Sequence, residues 1–152
     1  MLHIMLAAAA VAATPSAMTV KDPDIFIQQL TEMGYNPDAV LKKGGSVEMV
    51  AHLANGGLTI VLGGCTANRD CTYVALVGSF SDVKNPPADW VAKMNANYDL
   101  IKVWKGDNGN LFYSAGSVVE QMPRATFKRW IEMVDQSSDD LGQEASKAGL
   151  NK

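Results

Sequence analysis

Histidine and cysteine are nearly missing from this chain of 152 residues, which holds two of each. His3 stands in an apolar N-terminal stretch, so only His52, Cys65 and Cys71 remain as soft metal ligands. That pool is too small for a zinc site, and the five residues between the cysteines exceed the usual knuckle spacing of about two to four. No metal is expected. His52 is also the only imidazole available to a catalytic triad, and neither Ser46 nor Ser79 lies in a nucleophile-elbow context. It reads as a surface histidine bonded across strands. No catalytic residue and no cofactor is assigned.

Positive charge is scarce too. Thirteen Lys and Arg face 16 Asp and Glu, for a net charge of −3, and only Lys42-Lys43 and Lys128-Arg129 are adjacent. Nucleic acid is therefore excluded as a partner, since phosphate binding needs clustered cations. Long apolar runs are lacking as well. The longest, residues 4–13, is ten residues, about half of the ~20 needed to span a bilayer, so no stable membrane insertion is expected. Small residues follow it, which is the layout of a secretory signal peptide, although no Lys or Arg precedes the run. Cleavage is expected after Ala13 or Ala17. No cysteine lies near that junction to carry a lipid. The expected organisation is a signal peptide at 1–17, one α+β domain at 22–142 and a polar tail at 143–152.

Several patterns of site chemistry are broken. The pairs Gly44-Gly45, Gly56-Gly57 and Gly63-Gly64 lack the following Lys and Ser or Thr of a phosphate loop and read as turns. Asp107-Asn108-Gly109 starts like a calcium loop, but Val118 stands where the bidentate Glu belongs. Asp139-Asp140 reads as a solvated helix end. Trp90, Trp104 and Trp130, at helical or strand spacing, read as core.

What is present is a set of strands that corroborate one another. Residues 58–64 and 71–80 are β-rich runs flanking a polar loop, and residues 47–53 precede an Asn55-Gly56 turn signal. Taking Asn55-Gly56 as a two-residue turn sets Leu53 opposite Leu58, Ala51 opposite Ile60 and Met49 opposite Leu62. Setting Cys65 opposite Cys71, as a cross-strand disulfide requires, places Leu62 opposite Val74 and Ile60 opposite Leu76. Because side chains alternate, both turns put Leu58, Ile60 and Leu62 on one apolar face. The Cys65–Cys71 disulfide implies an oxidising compartment, and the expected location is periplasmic or secreted. The other face is mixed, with an apolar centre at Val50, Val61, Ala75 and Val77 ringed by Glu48, His52, Thr59 and Tyr73. It is either covered within the fold or used to bind.

A second hairpin is expected over residues 98–105 and 110–118, turning at Asn108-Gly109; its inward face stays open between Leu100 with Trp104 and Ile101 with Val103. Asp22-Pro23 opens a helix with Phe26, Ile27, Leu30 and Met33, stopped by Gly34. Asn85-Pro86-Pro87 opens a shorter one with Trp90, Val91 and Met94. Pro123 opens the last, with Phe127, Trp130, Ile131 and Val134 at helical spacing and Gly142 as its end. The fold class is α+β: a single domain with an antiparallel sheet, order α-β-β-β-α-β-β-α, and helices packed on one face.

That order, with Gly34-Tyr35 after the first helix, the Gly64-Cys65 to Cys71 hairpin, Trp90 to Asn95, Asp107 with Gly109, and Phe127 with Trp130, resembles the YbjN-domain family over residues 22–141. The fold of that family is like that of type III secretion chaperones. One departure is that Asn95-Ala96-Asn97 lacks the Trp often found there. The resemblance implies a chaperone-like or regulatory module, without catalytic residues, that holds a polypeptide partner or forms a homodimer. Val50, Val61, Tyr73, Ala75 and Val77 are the expected partner-binding residues. The alternative is a periplasmic small-molecule-binding protein using the groove between sheet and helices.

Overall fold

The computed structural model describes residues 17–53 and 56–151. The apolar run at 4–13 and the Ala13 cleavage position lie outside the described residues, as does Asn55. The elements are α1 (Pro23–Glu32), β1 (Asp38–Lys43), β2 (Ser46–Leu53), β3 (Gly56–Gly63), β4 (Tyr73–Lys84), α2 (Ala88–Asn97), β5 (Lys102–Lys105), β6 (Asn110–Ser117) and α3 (Arg124–Lys147). The expected order is recovered in a single α+β domain, and β1 adds a strand at the head of the first run. All six strands form one antiparallel sheet, ordered β1-β2-β3-β4-β6-β5.

The β3–β4 register is the one the cysteines predict: Leu62 pairs with Val74 and Ile60 with Leu76. The β2–β3 register differs from expectation by two residues. Ala51 pairs with Leu58, Met49 with Ile60, and Leu53 with Gly56, so Gly56 is a paired strand residue rather than part of the turn. A shift of two leaves each side chain on its expected face, because strand orientation repeats every second residue. Val47, Met49, Ala51, Leu58, Ile60, Leu62, Val74 and Leu76 are all buried. In the second hairpin Val103, Leu111, Tyr113 and Ala115 continue that layer, while Trp104 turns to the other side. Trp104 is therefore not core; it stacks on Phe112 with ring centroids 5.7 Å apart.

Helices α1 and α3 cover the buried layer. Asp22 caps α1 by accepting from the Asp24 N–H at 3.0 Å, and Pro23 fits the first turn, where its missing N–H costs nothing. Phe26 meets Phe127 of α3 edge-on at 5.7 Å. Gly142 does not end α3. The helix runs on to Lys147 with Ala145 fully buried, so residues 143–147 are packed helix rather than polar tail. A Cβ at Gly142 would lie 3.1 Å from the Phe80 ring, so this glycine marks a close helix-to-sheet approach. Helix α2 lies beside β5 and adds the fully buried Met94 to the core.

The packed chain starts ahead of α1. Met18 is fully buried, its N–H donating to the Met122 carbonyl at 2.7 Å and its carbonyl accepting from Gln121 at 3.0 Å. The fully buried Gln29 ties this strap down: Nε2 donates to the Ala17 carbonyl at 2.8 Å, and Oε1 accepts from the Thr19 N–H at 3.2 Å.

Candidate functional site

Two surfaces merit attention, the uncovered side of the sheet and a groove along α3. On the first, the register aligns side chains into rows. Leu41, Glu48, Val61, Ala75 and Gly116 form one row, and Val50, Thr59, Val77, Ser114 and Lys102 the next. The flanking rows bring Tyr73 beside Gly63 at one end and Ser79, Phe112 and Trp104 at the other. The Tyr73 ring lies where a Cβ on Gly63 would be. Val61, Ala75 and Val77 are half-buried, while Val50, Tyr73, Trp104 and Leu41 are exposed, Leu41 to 56%.

The five residues expected to bind a partner thus share one face. Three others on it, Leu41, Phe112 and Trp104, escaped the sequence reading. Leu41 belongs to a strand that was not foreseen. Phe112 and Trp104 belong to the hairpin whose inward side was ambiguous, where only pairing with β4 could assign it.

Both sheet edges are protected. Beside β5, the Asn95 side chain donates to the Val103 carbonyl and accepts from its N–H, each at 2.8 Å. At the other edge, β1 has a register shift between Asp38 and Leu41 and carries Lys42 and Lys43, both devices that discourage strand addition.

The cysteines pair as expected, with Cα atoms 3.9 Å apart. Their loop is a clasp on the start of α1. The Asp70 N–H donates to the Lys21 carbonyl at 2.8 Å, and Arg69 Nη1 donates to Asp22 Oδ2 at 2.7 Å. Burial works to raise the Asp22 carboxyl, but the Asp24 N–H and Arg69 outweigh it and hold it below its usual value. His52 is exposed and bonded to Asp38 Oδ2 at 2.5 Å, so it is occupied by a cross-strand carboxylate.

The groove is the second surface. One cavity of about 280 Å³ is lined by Tyr35, His52, Leu53, Lys128, Glu132 and Asp135 among others, and a neighbour of about 220 Å³ by Leu53, Phe80, Tyr113, Asp135, Ser138 and Asp139. They share Leu53 and Asp135. Burial raises the Tyr113 hydroxyl pKa, with Asp135 and Asp139 adding to it and the Ser138 hydrogen bond opposing. Burial pushes Tyr35 to about 12, with Glu132 and Asp135 contributing. Asp135 itself is raised, first by burial and then by the like charge of Asp139.

No group of three His, Cys, Asp or Glu side chains suited to a metal occurs among the described residues, and no described helix is long and apolar enough to cross a membrane. No curated protein and no solved structure matches the chain. One family model does, that of YbjN, described as "Putative bacterial sensory transduction regulator", over residues 22–146. That span runs from the α1 cap nearly to the end of α3, taking in the whole sheet and the Asn95 closure of its edge. With the matched span covering most of its length, this chain belongs to the YbjN family, whose description supports a regulatory or partner-binding role.

Proposed function

We propose that this is an exported, non-enzymatic regulatory module that binds a polypeptide partner, or a second copy of itself, through the open sheet face. The observation that carries the reading is the apolar centre of Val61, Ala75 and Val77, with Leu41 beyond Glu48, Val50 beyond Thr59, and Tyr73 and the Trp104–Phe112 stack at its ends. An apolar centre with a polar rim is how recognition surfaces are commonly built, and aromatic side chains are enriched in them. Six strands about 4.8 Å apart and about 20 Å long present on the order of 500 Å², enough for a transient contact and short of the ~800 Å² per partner of a standard interface.

Export rests on the apolar run at 4–13 and on the cysteine pair, since disulfides persist in oxidising compartments. Of the two cleavage positions, the one after Ala13 suits the fold better, because Gln29 requires the Ala17 carbonyl. N-terminal sequencing of exported protein should then begin at Thr14.

The test of the binding face is Val61→Asp and Val77→Asp, each with circular dichroism and light-scattering mass. The expected result is native ellipticity with loss of self-association or partner capture. If the unmodified chain is a monomer and both variants unfold, the face is core and the reading fails.

A further inference from the structure

Closure of the outer edge of β5 stops at Val103. Asn95 takes both backbone groups of that residue, so they point away from β6. Along an antiparallel strand the backbone bonds its neighbour at alternate residues. Gly106 keeps that phase, its N–H donating to the Asn110 carbonyl at 2.9 Å. Lys105 therefore turns its N–H and carbonyl outward, as Val103 does, and neither finds a hydrogen-bond partner among the described residues.

Helix α2 leaves this position open. Four residues of helix advance about 6 Å and two residues of strand about 6.6 Å, so Val91 stands to Lys105 as Asn95 stands to Val103. Valine has neither donor nor acceptor in its side chain. Beside it lies a cavity of about 230 Å³ lined by Pro86, Ala88, Val91, Trp104 and Lys105. Trp104 and Lys105 are consecutive strand residues whose side chains leave opposite faces, so a cavity that touches both lies at the strand edge. The indole is held by its stack on Phe112, which does not line the cavity. Pro86 is buried, and only Lys105 among the five is charged, its side chain exposed.

We infer that this pocket binds a flat ring carrying a primary carboxamide, with the ring against Trp104 and Pro86 and the amide on the Lys105 backbone. The chain holds its own precedent, since the Asn95 carboxamide donates to and accepts from Val103 with both bonds at 2.8 Å. A ligand carboxamide repeats this two residues on, its NH2 donating to the Lys105 carbonyl and its oxygen accepting from the Lys105 N–H. An added strand cannot do so, because Asn95 already occupies the adjacent stretch of edge. At about 230 Å³ the cavity is below the ~300–1,000 Å³ of drug-sized sites, which limits the ligand to a single ring. The site is independent of whether a partner binds the open sheet face.

The experiment follows the amide proton–nitrogen correlation spectrum of the full chain during titration with benzamide, N,N-dimethylbenzamide and sodium benzoate. The Lys105 amide resonance should shift saturably with benzamide. The dimethyl amide accepts but cannot donate, so it should bind about fivefold or more weakly. Lys105→Pro removes the outward N–H and leaves the β5–β6 bonds in place, a substitution that edge strands tolerate; it should weaken benzamide binding about fivefold or more. Ala88→Phe, at an exposed position in the first turn of α2, should fill the cavity and abolish binding. If either variant fails to fold, the comparison of the two amides on the parent decides alone. The proposal is overturned if benzamide does not bind up to about 20 mM, if the dimethyl amide binds as tightly, or if a folded Lys105→Pro binds as the parent does. Tighter binding of benzoate than of benzamide would also overturn it, by assigning the pocket to the Lys105 ammonium and an anion.

Discussion

Asn95 binds both backbone polar groups of Val103, its Nδ2 donating to the carbonyl and its Oδ1 accepting from the N–H, each at 2.8 Å. A single side chain thereby stands in for a neighbouring strand at the outer edge of β5. Asn95→Ala should cost about 1–3 kcal/mol, the range for leaving a partly buried donor and acceptor unpaired. Asn95→Asp keeps only the accepting half and sets a carboxylate against the Val103 carbonyl, so it should be at least as damaging. Urea denaturation measures both, and sedimentation should show more aggregate as the edge opens. Unchanged midpoints would mean that α2 shields this edge without the amide.

The disulfide closes a seven-residue loop from Cys65 to Cys71. In the chain-entropy treatment such a loop contributes roughly 2–2.5 kcal/mol. Small domains hold about 5–15 kcal/mol in all, so reduction should lower the melting temperature without unfolding the protein at room temperature. Because the loop grips Lys21 and Asp22, hydrogen exchange in the reduced protein should rise first at the start of α1. Faster exchange confined to the loop would show that the clasp does not depend on the bridge.

The strap at residues 17–20 makes a sharp comparison possible. A chain starting at Thr14 keeps the Ala17 carbonyl, whereas one starting at Met18 leaves Gln29 Nε2 buried without an acceptor. The shorter chain should be less stable by about 1–3 kcal/mol. Equal denaturation midpoints for the two would remove the argument for cleavage after Ala13.

Tyr35 predicts behaviour in alkali. Its folded pKa of about 12 lies above the ordinary value of 10.0, so the fold favours the neutral phenol. The associated stability is complete below pH 10 and is lost as pH rises from 10 towards 12, where the unfolded chain ionises and the folded one resists. Tyr35→Phe should flatten this decline. Thermal melts of both proteins between pH 8 and about 12 test it, and parallel curves would assign the decline to other groups.

Sequence alone was enough to determine which face the residues of β2, β3 and the first half of β4 occupy, even though the β2–β3 pairing was placed two residues out. The reason is physical: alternation has period two, so Met49 lies inward whether it meets Leu62 or Ile60. Capping chemistry likewise made Asp22-Pro23 legible as a helix start, because it depends on adjacent residues only. Other features depend on contacts distant in the chain. β1 reads poorly because Val40 and Leu41 stand in succession and two lysines follow, so no alternation shows, and its pairing with β2 is irregular between Asp38 and Leu41. Gly142 looks like a stop, but the Phe80 ring across the interface makes it a packing position within α3. Trp104 turned outward because β5 takes its register from β6, and β6 from β4. The groove along α3 is wholly a product of the tertiary structure: Tyr35 follows α1, Leu53 ends β2, Tyr113 lies in β6 and Asp135 in α3, and no local pattern joins them.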